Sequence, residues 1–165
     1  METIDLYIDA SFNDKRKNGK CAAILIHDEK EYQWSMGMTS ERIHNNWPCQ
    51  GTINSTEYEI STLIFFLKYL NDRKISNINF IVYTDSLNFF ESYYNLVKSR
   101  NKCKKMIDSL RTEILYMTNL NNVSFEIRWI PGHKNIYGNV KANYYTQHHF
   151  KQSNKEVAMI NTWKV

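Results

Sequence analysis

Apolar and polar positions alternate along the first dozen residues. Between Thr3 and Phe12, Ile4, Leu6 and Ile8 fall on one face and Asp5, Tyr7 and Asp9 on the other, the period of a strand. A polar hairpin tip over 13–20 separates this run from strand candidates at 21–27 and 31–38, joined by the charged turn Asp28-Glu29-Lys30. The chain therefore opens as an antiparallel three-strand meander. Residues 40–53 have no period and carry Pro48 and Gly51, so an irregular stretch is expected.

From Asn54 the period becomes helical. Ile60, Leu63, Ile64, Leu67 and Leu70 recur at helix spacing to about residue 71, with Asn54 or Ser55 able to cap the start. The run 78–83 is rich in β-branched and aromatic residues, as in a strand covered on both faces. That pattern breaks at Thr84-Asp85-Ser86. Ser86 can cap a helix over about 87–98, packed by Phe89, Phe90, Tyr93, Tyr94 and Val97. A further helix carries Ile107, Leu110, Ile114 and Leu115 to about 118. Val123–Ile130 reads as the fifth strand, followed by a loop over 131–139 and a helix over about 139–149. The order β-β-β-α-β-α-α-β-α implies an α/β domain with a mixed sheet, spanning about residues 1–150 and followed by a polar tail, 151–165.

Composition narrows the class. A chain of 165 residues, 42% hydrophobic and 14% aromatic, is globular and most simply one domain. No run reaches the ~18 apolar residues of a membrane span. Met1–Asp5 has no basic region, so no signal peptide is expected. Cys21, Cys49 and Cys103 are odd in number and lack CxxC spacing. They argue against structural zinc and a disulfide framework, and for a reducing, intracellular setting, cytoplasmic or nuclear. The net charge of +4 leans towards a polyanionic partner. Five of the eight residues 98–105 are Lys or Arg, with no acid among them: Lys98, Arg100, Lys102, Lys104 and Lys105. Such a run is either a solvated face or a set of phosphate contacts.

Carboxylates carry the candidate chemistry. Asp9 lies in a central strand, where a charge needs a partner or a metal unless that face is solvated. Asp85 lies at a strand end, where open α/β sheets place ligands, or else caps the following helix. Glu57 sits in a first helical turn beside the apolar stripe, either answering the helix dipole or reaching the same site. If strands one and four are neighbours, Asp9 and Asp85 lie side by side. Clustered carboxylates raise one another's pKa, a cost that hard divalent cations remove. His133 lies in a Gly-bounded loop and can titrate near neutral pH.

Four motifs resemble type-1 ribonuclease H in order and spacing. They are Ile8-Asp9-Ala10-Ser11, Asn54-Ser55-Thr56-Glu57-Tyr58, Thr84-Asp85-Ser86, and Trp129-Ile130-Pro131-Gly132-His133 running into Gly138-Asn139-Val140-Lys141-Ala142-Asn143. The resemblance covers about residues 3–147 and looks closest to retroelement-type or free-standing domains. It implies an RNase H-like fold: a five-stranded mixed sheet, three antiparallel strands then parallel ones, with helices on both faces. It also implies two Mg²⁺ or Mn²⁺ ions, cleavage of the RNA strand of RNA/DNA hybrids, no small-molecule cofactor, no membrane and a monomer. Asp9, Glu57, Asp85 and Asn143 would be the metal set, and His133 would aid proton transfer or product release. Ser11, Asn54, Ser86, Lys98, Arg100, Lys102, Lys104 and Lys105 would meet nucleic acid. Two residues depart from the family pattern: Asn143 where it has Asp, and Ala10 where it has Gly. Two other readings stay open: a nucleic-acid-binding module with weakened catalysis, which Asn143 favours, and a DNA-acting nuclease of the same superfamily.

Overall fold

A computed structural model describes residues 1–147 apart from 14, 16, 49–51, 100 and 133. The tail 151–165 lies outside the described residues. The elements run β1 (Glu2–Asn13), β2 (Asn18–His27), β3 (Lys30–Thr39), α1 (Ser40–Asn46), α2 (Ser55–Asp72), β4 (Ile78–Thr84), α3 (Leu87–Tyr93), α4 (Asn101–Asn121), β5 (Val123–Trp129) and α5 (Tyr137–Gln147).

The five strands form one sheet in the order β3-β2-β1-β4-β5. β1 pairs antiparallel with β2, and β2 with β3. β1 and β4 run parallel, as do β4 and β5. The expected mixed sheet with helices on both faces is what forms. Ile4, Leu6 and Ile8 of β1 are fully buried on the face packed by α2. α2 is itself buried nearly all round from Thr56 to Leu67, because α4 packs against it as well. Side chains such as Leu63, Ile64 and Leu67 each contribute about 1.5–3 kcal/mol on full burial. α5 lies on the opposite face, where Gly138 rests on the ring of Tyr7. Any Cβ at position 138 would overlap that ring. Among the described residues, no helix is long and apolar enough to cross a membrane.

Local boundaries differ from expectation for identifiable reasons. α1 occupies part of the stretch expected to be irregular. Thr39 caps it, its side chain accepting from Arg42 N at 3.1 Å, but Ile43 is its one buried residue, so it has no period to read. α3 stops at Tyr93 rather than near 98, and Asn95 just beyond it takes the left-handed conformation, φ 58°. α4 starts inside the basic run, at Asn101. β2 reaches back into the expected hairpin tip, pairing Asn18 with Asn13.

The β2–β3 hairpin has a two-residue loop, with His27 opposite Lys30. Its central residues, Asp28 (φ 47°) and Glu29 (φ 63°), are both left-handed, which costs a non-glycine residue roughly 1–2 kcal/mol. Glu29→Gly should relieve that strain and raise the melting temperature by about 2–4 °C, since about 1 kcal/mol moves a domain of this size by that much. A calorimetric melt checks it, and a lower melting temperature would show that chain entropy outweighs the strain.

Candidate functional site

The parallel pairing of β1 with β4 ends at Tyr7 opposite Tyr83. β1 continues along β2, with Asp9 opposite Ala22, while β4 ends at Thr84. The two strands therefore part, and Asp9 and Asp85 stand at the opening, each two residues past the last pair. This is the carboxyl end of a parallel strand pair, where α/β sheets hold ligands. Glu59 reaches the opening from α2. One carboxylate oxygen each from Asp9, Glu59 and Asp85 lies within 4.8 Å of the others.

Glu59 is 5% exposed and Asp9 likewise 5%. Burial, then the neighbouring charges of Asp9 and Asp85, hold the Glu59 carboxyl well above the usual carboxylate range. The hydroxyl of Thr84, which donates to Glu59 Oε1 at 3.3 Å, opposes that rise. Both oxygens of Asp9 accept hydrogen bonds: Oδ1 from Ala10 N at 2.9 Å, and Oδ2 from Asn143 Nδ2 at 3.0 Å. Gly132 borders Asp85, so the turn after β5 forms part of the rim. The three clustered acids are all oxygen donors crowding like charge, a set suited to a hard divalent cation. Cys21, close behind them, is no candidate nucleophile, because burial pushes its thiol up to about 12.

The residues singled out from sequence divide clearly. Asp9, Asp85 and Asn143 come together. Glu57 is not in the carboxylate group. Its Oε1 accepts from Asn54 N at 3.0 Å while its own N–H donates to Asn54 Oδ1 at 2.8 Å, a reciprocal capping box that starts α2. Glu59, two residues on, is the acid that reaches Asp9 and Asp85. A helix turns ~100° per residue, so Glu57 and Glu59 cannot point the same way. The Asn-x-x-Glu capping signature is the sign in the sequence that one oxygen of Glu57 caps α2. Ser11 turns its hydroxyl to Thr146 O at 2.7 Å, and Ser86 caps α3, accepting from Phe89 N at 3.1 Å. Lys98, Lys104 and Lys105 are exposed. Lys102 is not: it is 2% exposed, with Nζ 3.1 Å from His44 Nδ1. Arg100 and His133 lie outside the described residues.

A family model described as RNase H matches residues 1–151 of this chain. Among solved structures, the chain is similar to RNase H1 from the halophilic archaeon Halobacterium salinarum NRC-1, with 15% identity and a TM-score of 0.57, over 89% of this chain and 99% of that one. At that identity the likeness concerns the fold. A comparison with curated proteins gives no match.

The buried acids make a prediction without nucleic acid. Glu59 titrates higher in the folded chain than unfolded, so its contribution is intact at low pH and is lost as pH rises towards the folded pKa. In chelator, Glu59→Gln should therefore melt higher than wild type at pH 8, and the gap should shrink at pH 5. Added Mn²⁺ should raise the wild type more than the variant. Parallel pH curves for the two proteins would show that Glu59 is not repelled in the folded state.

Proposed function

The chain belongs to the RNase H family, and from that premise we propose that it hydrolyses the RNA strand of RNA/DNA hybrids with two divalent ions, Mg²⁺ or Mn²⁺. We further propose that it works as an intracellular monomer without a small-molecule cofactor. The observation that carries the proposal is the group of buried Asp9 and Glu59 with half-buried Asp85, placed where β1 and β4 separate. These three would hold the ions, with Asn143 at the fourth position beside Asp9. Bound there, such ions supply an activated water and stabilise the leaving oxygen of in-line phosphodiester cleavage.

The residues around the acids fit a polymeric, polyanionic substrate. A cleft of about 260 Å³ lies next to Asp9, lined by Ala10, Ser11, Phe12, Ile53, Asn54, Ser55 and Tyr58. It places the exposed start of α2 against the end of β1, and we assign it to the hybrid. Asn54 lines it while its side chain caps α2, so its contact with substrate would come through what the cap leaves over. Lys98 and Lys104 border a second cavity of about 420 Å³, together with Arg111 and Ser99. Exposed cations there would meet phosphates and make binding salt-dependent. His133 keeps the proton-transfer role that its motif implies.

Asn143 favours a second reading, that of a hybrid-binding module with weak catalysis. An amide brings no charge to a dication, and its N–H is already given to Asp9. Two experiments separate the readings. Labelled hybrid, double-stranded RNA and double-stranded DNA are incubated with Mg²⁺ or Mn²⁺, and cleavage is expected of the RNA in the hybrid alone. Asp9→Asn, Glu59→Gln and Asp85→Asn should each lower the rate by at least about 100-fold, more than an outer-shell change usually does. Glu57→Gln should stay within about tenfold, because glutamine also serves a capping box. Loss of activity in Glu57→Gln with full activity in Glu59→Gln would reverse the assignment. In the second experiment, rate is titrated against Mg²⁺ for wild type and Asn143→Asp. The Asp variant should reach half-maximal rate at lower Mg²⁺. If both bind hybrid and neither cleaves it at any metal concentration, the binding-module reading stands.

A further inference from the structure

We propose that Thr146 and Ser11 are positioning residues that fix Asn143, and through it Asp9, for metal binding; the proposal rests on reading the carboxylate group as a metal-dependent hydrolytic centre. Four hydrogen-bonding residues form a closed circuit between α5 and β1. Asn143 Nδ2 donates to Asp9 Oδ2 at 3.0 Å. Thr146 Oγ1 donates to Asn143 O at 2.7 Å. Ser11 Oγ donates to Thr146 O at 2.7 Å. Ser11 and Asp9 are two residues apart on the same strand, which closes the loop.

Each bond alone has an ordinary explanation. A threonine hydroxyl often bonds back to the preceding helical turn. The last carbonyls of a helix need outside donors, and Ser11 meets one of them. Their combination matters because α5 is seated by close approach and polar contacts rather than by large apolar side chains; Lys141, for one, pairs with Glu31 of β3 at 3.9 Å. The buried residues of α5 are Gly138, Asn139, Ala142 and Thr146, which offer small apolar area. Tyr137, Val140 and Tyr144 stand half-exposed on its outer side. Apolar side chains therefore contribute little to fixing the helix along the sheet, although small residues let it approach β1 and β2 closely. Gly138 against Tyr7 locates one end, and the Ser11–Thr146 bond locates the other. Asn143 lies between these two anchors, so a small slide of α5 would break its bond to Asp9. Thr146 is fully buried, so water does not compete for its hydroxyl. Groups that orient a ligand carboxylate from behind commonly matter for metal affinity about 10–100-fold, and Thr146 acts one step further out.

The test reads metal affinity directly. Mn²⁺ is titrated calorimetrically into metal-free wild type, Thr146→Val, Thr146→Ser, Ser11→Ala and Asn143→Ala, without nucleic acid, and cleavage kinetics are measured alongside. Thr146→Val keeps the side-chain shape and loses the hydroxyl. It and Ser11→Ala should each weaken Mn²⁺ by about 3–10-fold, and Thr146→Val should leave KM for hybrid unchanged. Thr146→Ser should bind within about twofold of wild type. Combined with Asn143→Ala, Thr146→Val should cause no further loss, because both act through one contact. Unchanged affinity in Thr146→Val, equal loss in Thr146→Ser, or additive losses in the double variant would overturn the proposal. If Thr146→Val does not fold, the pair Ser11→Ala and Asn143→Ala decides the question by the same additivity. Wild type that binds Mn²⁺ but leaves hybrid uncut would sink the hydrolase reading and leave the positioning result standing. Wild type that binds no Mn²⁺ would overturn both.

Discussion

Three acids crowd within 4.8 Å of one another where β1 and β4 part, and most of what surrounds them holds that unfavourable arrangement in place. A carboxylate shielded from water and facing two others is unstable as an anion, and Glu59 answers by keeping its proton to unusually high pH. The fold resists the repulsion with rigid elements rather than loops. Asp9 is carried on a strand paired on both sides up to Tyr7, and Glu59 on a helix buried nearly all round. Asp85 follows a strand whose alternate side chains Ile78, Phe80 and Val82 are fully buried. Strain of this kind is what a bound dication relieves, so the geometry that costs stability in the free chain is also the geometry that selects a ligand.

α5 answers a different constraint. It brings Asn143 to Asp9 with very little apolar contact of its own, through small residues that let the helix lie close to the sheet. Close approach replaces area. Gly138 is required because the Tyr7 ring, itself stacked on Tyr83 at 4.6 Å, occupies the space a side chain would need. Asn143 also changes the balance at the site: its N–H, donated to Asp9, lowers repulsion among the acids, and its amide brings no charge of its own.

The basic run at the start of α4 shows how packing redistributes charge. Lys98, Lys104 and Lys105 point to solvent, while Lys102 enters the interior and meets His44 of α1. A lysine every second or third residue along a helix cannot keep all its ammonium groups on one face. The exposed basic surface is therefore smaller than the charge run suggests, and Lys102 instead meets His44 of α1.

How much was legible from sequence follows from which properties are local. The strands, α2 and the end of β4 with Asp85 all rest on periodicity, and periodicity is set by residues a few positions apart. The four spaced motifs added the family and hence the order of the strands. What remained hidden depends on contacts between distant parts of the chain. α1 has one buried apolar residue, Ile43, and exists because Thr39 caps it and the core accepts that side chain. Whether Glu57 or Glu59 joins Asp9 is decided by the rotation of α2 about its own axis, which β1, β2 and α4 set by packing on it. Ser11 looked ready for substrate and instead satisfies a carbonyl 135 positions away. The sequence by itself determined which elements form and which residue types are available for chemistry, because those follow from local patterning. Only the tertiary structure decided which of those residues meet, because helix rotation and side-chain direction are fixed by whichever neighbours fill the space.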